Sequence, residues 1–172
     1  MLTAEVLETG CDFRTLVVQH QATVFSIALH YLRDRATAEE VAQEVFFSLH
    51  RNLHQIETPA HAAAWLRKVA VQRSIDEGRR RNRRPQVALE AVAEPVASVK
   101  PGDPLLSDLL RKLVATLPEA PRMVMVLRYQ EDLEPAEIAA ALEMPVATVK
   151  SHLQRSLALL REKLARRGIG AA

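Results

Sequence analysis

Three groups of side chains in this chain have types and spacings suited to recognition. Val146, Thr148, Lys150, Ser151, His152, Gln154 and Arg155 fall in one short run that mixes cations, hydroxyls and an amide. Arg79, Arg80, Arg81, Arg83 and Arg84 make a second, purely basic cluster. Glu40, Gln43 and Glu44 make a third, and on a helix steps of three and one bring all three polar groups onto one face. Lys and Arg pair with phosphate or guanine and Gln with adenine, so the first group has the chemistry of a duplex reader. The acids, taken by themselves, read as a solvated helix face.

Catalytic constellations are missing. There is no Gly-rich phosphate loop, no H-E-x-x-H and no cysteine pair, so the chain is read as a non-enzyme that needs no cofactor. His50 and His54 stand four apart on a predicted helix, but no third ligand lies near them and no metal site is expected. The single cysteine, Cys11, allows no internal disulfide and has no activating base beside it, which fits a reducing cytoplasm.

The elements that position these groups are helical. Phe13, Leu16, Val17, Val24, Ile27, Ala28, Tyr31 and Leu32 recur at three- and four-residue steps, and Asp34 to Thr37 breaks the run. A second helix carries Ala38, Val41, Ala42, Val45, Phe46, Leu49 and Leu53 on one face. Thr58 is a fair N-cap and Pro59 a fair first-turn residue for a third helix, which carries Trp65, Leu66, Val69, Ala70 and Ile75 into the arginine cluster. From Pro85 to Pro104 four prolines, Gly102 and small apolar residues replace the helical stripe, and this stretch reads as a flexible linker. Periodicity returns with Leu106, Leu109, Leu110, Leu113 and Leu117, stops at Pro118, and resumes through Met123, Val126, Leu127 and Tyr129. Two more helices follow, about Pro135 to Leu142 and Val146 to Leu164.

Composition agrees. The chain has 172 residues, 48% hydrophobic and only 4% aromatic, a Leu- and Ala-rich balance that favours helices over sheets. The expected architecture is all-α: a first domain over 1–84, a linker over 85–104 and a second domain over 105–172. No stretch reaches the roughly 18 apolar residues of a membrane helix, and the opening MLTAEVLETG has acids where a signal peptide carries bases, so a soluble cytoplasmic protein is expected. Net charge is only +2, but from Pro145 onward six bases face one acid, so the sign is segregated along the chain.

The last two helices have the outline of a helix-turn-helix. Ile138, Ala139 and Leu142 face inward on the first, Glu143-Met144-Pro145 makes the break, and Val149, Leu153, Leu157 and Leu160 form the inward stripe of the second. Lys150, His152, Gln154 and Arg155 are left outward near its start, where such a helix meets base edges in a major groove. A helical hairpin that only packs has the same spacing.

LVATLPEAPRMVMVLRYQEDLEPAEIAAALEMPVATVKSHLQRSLALLREKL resembles region 4 of the extracytoplasmic-function (ECF) sigma factors, and AEEVAQEVFFSLHRNL with WLRKVAVQRSIDEGRRR resembles region 2. Together the matches span about Phe13 to Arg84 and Leu105 to Leu164. The resemblance implies a protein that binds core RNA polymerase and promoter DNA and is held inactive by an anti-sigma factor. It implies that Glu40, Gln43 and Glu44 face basic residues of the polymerase clamp, and that region 4 reads the −35 element through Val146, Thr148, Lys150, Ser151, His152, Gln154 and Arg155. It places −10 recognition on His61, Lys68, Gln72, Arg79 and Arg80, with Val71 and Ile75 beside them.

The chain departs from the family pattern in two places. The melting loop, Glu57 to Ala64, is bland, with His61 its only ring, and the family's Arg-Asn pair falls on Val71-Gln72. The region 4 turn carries Glu143 and Pro145 where Gly and a Ser cap are usual; a non-Gly residue in a left-handed conformation costs roughly 1 kcal/mol. Two other readings fit parts of the chain: a sigma-like decoy that binds an anti-sigma factor without opening promoters, and a stand-alone helix-turn-helix regulator that gives the acidic face no role.

Overall fold

The computed structural model describes residues 11–84 and 104–169, and every regular element in them is helical. The opening segment and the expected linker lie outside the described residues, apart from Pro104, which opens a helix.

The first group of helices is α1 (Phe13–Leu32), α2 (Arg35–Asn52) and α3 (Pro59–Arg83), with a single 3-10 turn at Leu53–Gln55 between the last two. Each start has a chemical cause. Asp12 accepts a hydrogen bond from the Thr15 N–H at 3.1 Å, Asp34 from the Thr37 N–H at 2.8 Å, and Thr58 from the His61 N–H at 3.1 Å. Each satisfies an amide that the first helical turn leaves without a partner. The break between α1 and α2 is shorter than the sequence suggests. Arg33 takes a left-handed conformation (φ 58°) to end α1, Asp34 caps α2 at once, and Arg35 to Thr37 are already helical.

All three helices pack on one another. Leu16, Ile27 and Tyr31 of α1, Val45 and Leu49 of α2, and Leu66 and Val71 of α3 are all but closed to solvent in this unit. Burying a side chain of this size stabilises the fold by about 1.5–3 kcal/mol. Gly78 lets α3 approach α1 closely, since a Cβ there would stand 3.0 Å from Cε1 of Tyr31.

The second group is α4 (Pro104–Ala115), α5 (Glu119–Tyr129), α6 (Pro135–Leu142) and α7 (Val146–Ala165). α5 packs against α7, and α4 against both. Leu113 and Leu117 join Met125 and Leu160 in a buried cluster, with Leu109, Leu153, Leu157 and Leu164 packed around it. The predicted leucine stripe of α7 is therefore the face that meets α4 and α5. Ser156, which that stripe did not include, is buried on the same helix.

Candidate functional site

The break between α6 and α7 is a three-residue turn. Glu143 adopts the left-handed conformation (φ 53°, ψ 44°), and the Met144 N–H donates back to the Ala139 carbonyl at 3.1 Å. This six-to-one bond is the closure that usually recruits glycine. Pro145 starts α7 without a side-chain cap; its carbonyl instead accepts from the N–H groups of Thr148 and Val149 at 3.0 and 3.2 Å. The departure from the family pattern thus leaves the turn intact at the cost of one strained residue.

Upstream, Arg128 ties the α5–α6 loop. Its Nη1 donates to the Leu133 carbonyl at 3.0 Å and to Oε1 of Glu134 at 2.9 Å, just where α6 begins. The Glu134 N–H in turn donates to Oε2 of Glu137 at 3.0 Å.

With Val149 fully buried, the start of α7 is oriented. Val146, Lys150, Gln154 and Arg155 are exposed, and Thr148, Ser151 and His152 half-buried beside them. Among the described residues the side chains of Lys150, Gln154 and Arg155 make no hydrogen bond or ion pair. All seven predicted residues therefore fall on one stretch of one helix, whose opposite side is core.

On α2, Ala38, Val41, Val45 and Leu49 are buried and Glu40, Gln43 and Glu44 stand exposed. Glu40 and Gln43 make no side-chain bond among the described residues, whereas Glu44 has Nη1 of Arg73 at 3.7 Å. Periodicity did not reveal the neighbouring surface. Phe46, predicted as core, is only half-buried, and Phe47 is 68% exposed. Both line a groove of about 840 Å³ between α1 and α2, with Phe13, Val17 and Phe25 on its walls and Gln43 among its lining residues. His50 sits edge-on to Phe13 in the same groove, ring centroids 5.2 Å apart, while His54 has left the helix for the 3-10 turn. The two histidines are thus not on one helical face.

The third set is more dispersed. His61 lies in the first turn of α3, and its Nδ1 accepts from the Glu57 N–H at 3.4 Å, which requires that nitrogen to be unprotonated. The only ring of the bland loop is thus partly engaged in fixing the loop's own backbone. Gln72, Arg79 and Arg80 are exposed and Lys68 half-buried. Val71 is not beside them on the surface: it is 1% exposed, part of the core against α1 and α2. The expectation that it borders a bound strand is corrected, since its side chain is needed for packing.

The arginine run carries less free charge than its composition suggests. Arg79 has Asp76 at 3.7 Å, Arg80 has Glu77 at 2.9 Å, and Arg81 reaches Oδ2 of Asp34 at 3.4 Å. Asp34 is held below the usual carboxylate range, first by the Thr37 N–H and also by Arg81, against partial burial. Elsewhere in the same unit, burial lowers His20, and the guanidinium of Arg67 lowers it further.

A three-helix unit with an exposed acidic face, followed by a helix-turn-helix, defines a class of two-part helical promoter-recognition proteins. The sigma-70 region 2 family matches residues 16–84 and the sigma-70 region 4 family residues 107–160. The chain is 32% identical over 157 residues to the ECF RNA polymerase sigma-E factor of Escherichia coli strain K12, a match covering 84% of this chain and 82% of that protein. It is 29% identical over 170 residues to the probable RNA polymerase sigma factor RfaY of Xanthomonas campestris pv. campestris, covering 92% of this chain but only 42% of that longer protein. In fold it resembles the sigma factor RpoE of Bartonella quintana, solved in complex with the anti-sigma factor NepR. That match has a TM-score of 0.73 at 22% identity and covers 90% of this chain and 97% of that one. The chain belongs to the ECF group of sigma-70 family RNA polymerase sigma factors. It is not an enzyme; it directs transcription initiation.

Proposed function

We propose that the two exposed polar faces divide the work of initiation: Glu40, Gln43 and Glu44 dock core RNA polymerase, and the start of α7 reads the −35 element. The observation that carries this reading is shared by both helices. Each has one side committed to its own core and the other bearing exposed polar side chains, mainly acids on α2 and mainly cations with an amide on α7, and among the described residues Glu40, Gln43, Lys150, Gln154 and Arg155 are unengaged. Acids against a basic clamp surface add on-rate and orientation more than raw affinity. Lys150 and Arg155 supply phosphate or guanine contacts, and Gln154 an amide suited to adenine.

Recognition at −10 rests on α3, through Lys68, Gln72, Arg79 and Arg80, with His61 at its start. The intrahelical acids beside Arg79 and Arg80 leave them exposed but partly neutralised, so phosphate contact there is modest and falls with salt. Residues 1–84 form the polymerase and −10 domain and 105–172 the −35 domain, on a linker over 85–104. The chain works in the cytoplasm with the polymerase; no helix among the described residues is long and apolar enough to cross a membrane. An anti-sigma factor is a further expected partner, as the Bartonella quintana relative was solved with one.

Run-off transcription with purified core polymerase tests the reading. The chain should initiate from a matching promoter, and activity should fall when the −35 element alone is scrambled. Binding to core without initiation from any promoter would favour the decoy.

A further inference from the structure

Arg73 belongs to none of the three groups read from the sequence, yet among the described residues it is the one basic residue paired with a docking acid. It projects from α3 toward α2, where Nη2 lies 3.5 Å from Oγ of Ser48 and Nη1 3.7 Å from Oε2 of Glu44. Glu44 and Ser48 are one helical turn apart, so a single guanidinium spans both through its fork. Neither side of the ion pair is buried: Arg73 keeps 48% and Glu44 59% of its side-chain exposure. The Glu44 carboxylate can therefore accept an outside cation while Arg73 holds it.

We propose that Arg73 is a positioning residue for the polymerase-docking face, holding the Glu44 carboxylate in its docking rotamer from the neighbouring helix. The inference rests on the docking role proposed above for Glu44. Among the described residues Glu40 and Gln43 have no such support, so Glu44 is the member of the face with a neighbour to hold it before the partner arrives. A flexible carboxylate must otherwise be immobilised on binding, and freezing one such side chain corresponds to about a two- to tenfold change in affinity. Arg73 itself has the wrong sign to pair with a basic clamp surface. A cation arriving at Glu44 stands within the roughly 8 Å Debye length of Arg73, so their repulsion subtracts from what the pre-placed carboxylate gains.

The test is a double-mutant cycle on binding to core RNA polymerase, using the full chain and checking helicity of each variant by circular dichroism. Arg73→Ala should weaken binding about threefold in the wild-type background and leave it unchanged in Glu44→Gln, with little change in thermal stability. Arg73→Lys keeps the charge but not the fork and should recover only part of the loss. Equal weakening by Arg73→Ala in both backgrounds would mean a direct polymerase contact and overturn the inference. So would tighter binding, which would make Arg73 a mask, or full recovery with lysine. If Glu44→Gln by itself leaves affinity unaltered, the docking role of Glu44 fails and this inference falls with it.

Discussion

Asp34 does more at the level of single residues than its place in a two-residue break suggests. It caps α2 through the Thr37 N–H and receives Arg81 from the far end of α3, so one carboxylate joins α2 to α3 just after α1 ends. Its folded pKa is lowered, so its contribution is fully present above the unfolded value and is lost as pH falls through the folded one. Asp34→Ala should cost about 1 kcal/mol at neutral pH, the usual worth of an N-cap. Asp34→Asn keeps the cap but should flatten the loss of stability below about pH 4; urea titrations at pH 7 and pH 3 measure both. Glu143 carries the opposite kind of effect, a side chain in the left-handed region where the turn needs none. Glu143→Gly should raise the thermal stability of the second helical group by about 0.5–1 kcal/mol, because the strain it removes exceeds the added freedom of the unfolded chain.

Helix ends were legible because they are written in local chemistry: Thr58-Pro59 starts α3, Leu117-Pro118 separates α4 from α5, and the Val149–Leu160 stripe orients α7. What periodicity could not resolve was a face it did not know to be shared. Phe46 and Phe47 are adjacent, so both cannot face one core, and only the packing of α1 beside α2 shows that they line a groove. Val71 sits next to exposed Gln72 and was read as surface, although the close approach of α3 to Tyr31 turns it inward. The Arg73–Glu44 pair joins positions 29 apart and depends on how α2 meets α3, which no spacing encodes. Two predictions belong at this scale. Gly78→Ala should fail to deliver the roughly 1 kcal/mol that alanine brings to a helix, because the fully buried Tyr31 ring has no room to yield; chemical denaturation reads this directly. Arg155→Ala should reduce promoter use by about tenfold or more where the −35 element is intact, and much less where it is scrambled, in transcription by reconstituted holoenzyme. Equal loss on both templates would place Arg155 outside base recognition.

At the scale of the whole chain, two helical groups each turn a charged back outward, acidic on α2 and basic on α7, which is why a net charge of only +2 says little about partners. The relatives are RNA polymerase sigma factors, and the proposal assigns the acidic face to the polymerase and the basic one to promoter DNA. The claim most open to direct test is that α2 is the handle by which the chain engages its polymerase. Equilibrium binding to core enzyme at low salt, comparing wild type with the Glu40→Lys/Glu44→Lys double variant, addresses it. The wild-type chain should bind, and the reversal should weaken it by about tenfold or more while circular dichroism shows the helices unchanged. Equal affinity of the two chains, or no binding by wild type, would contradict the account.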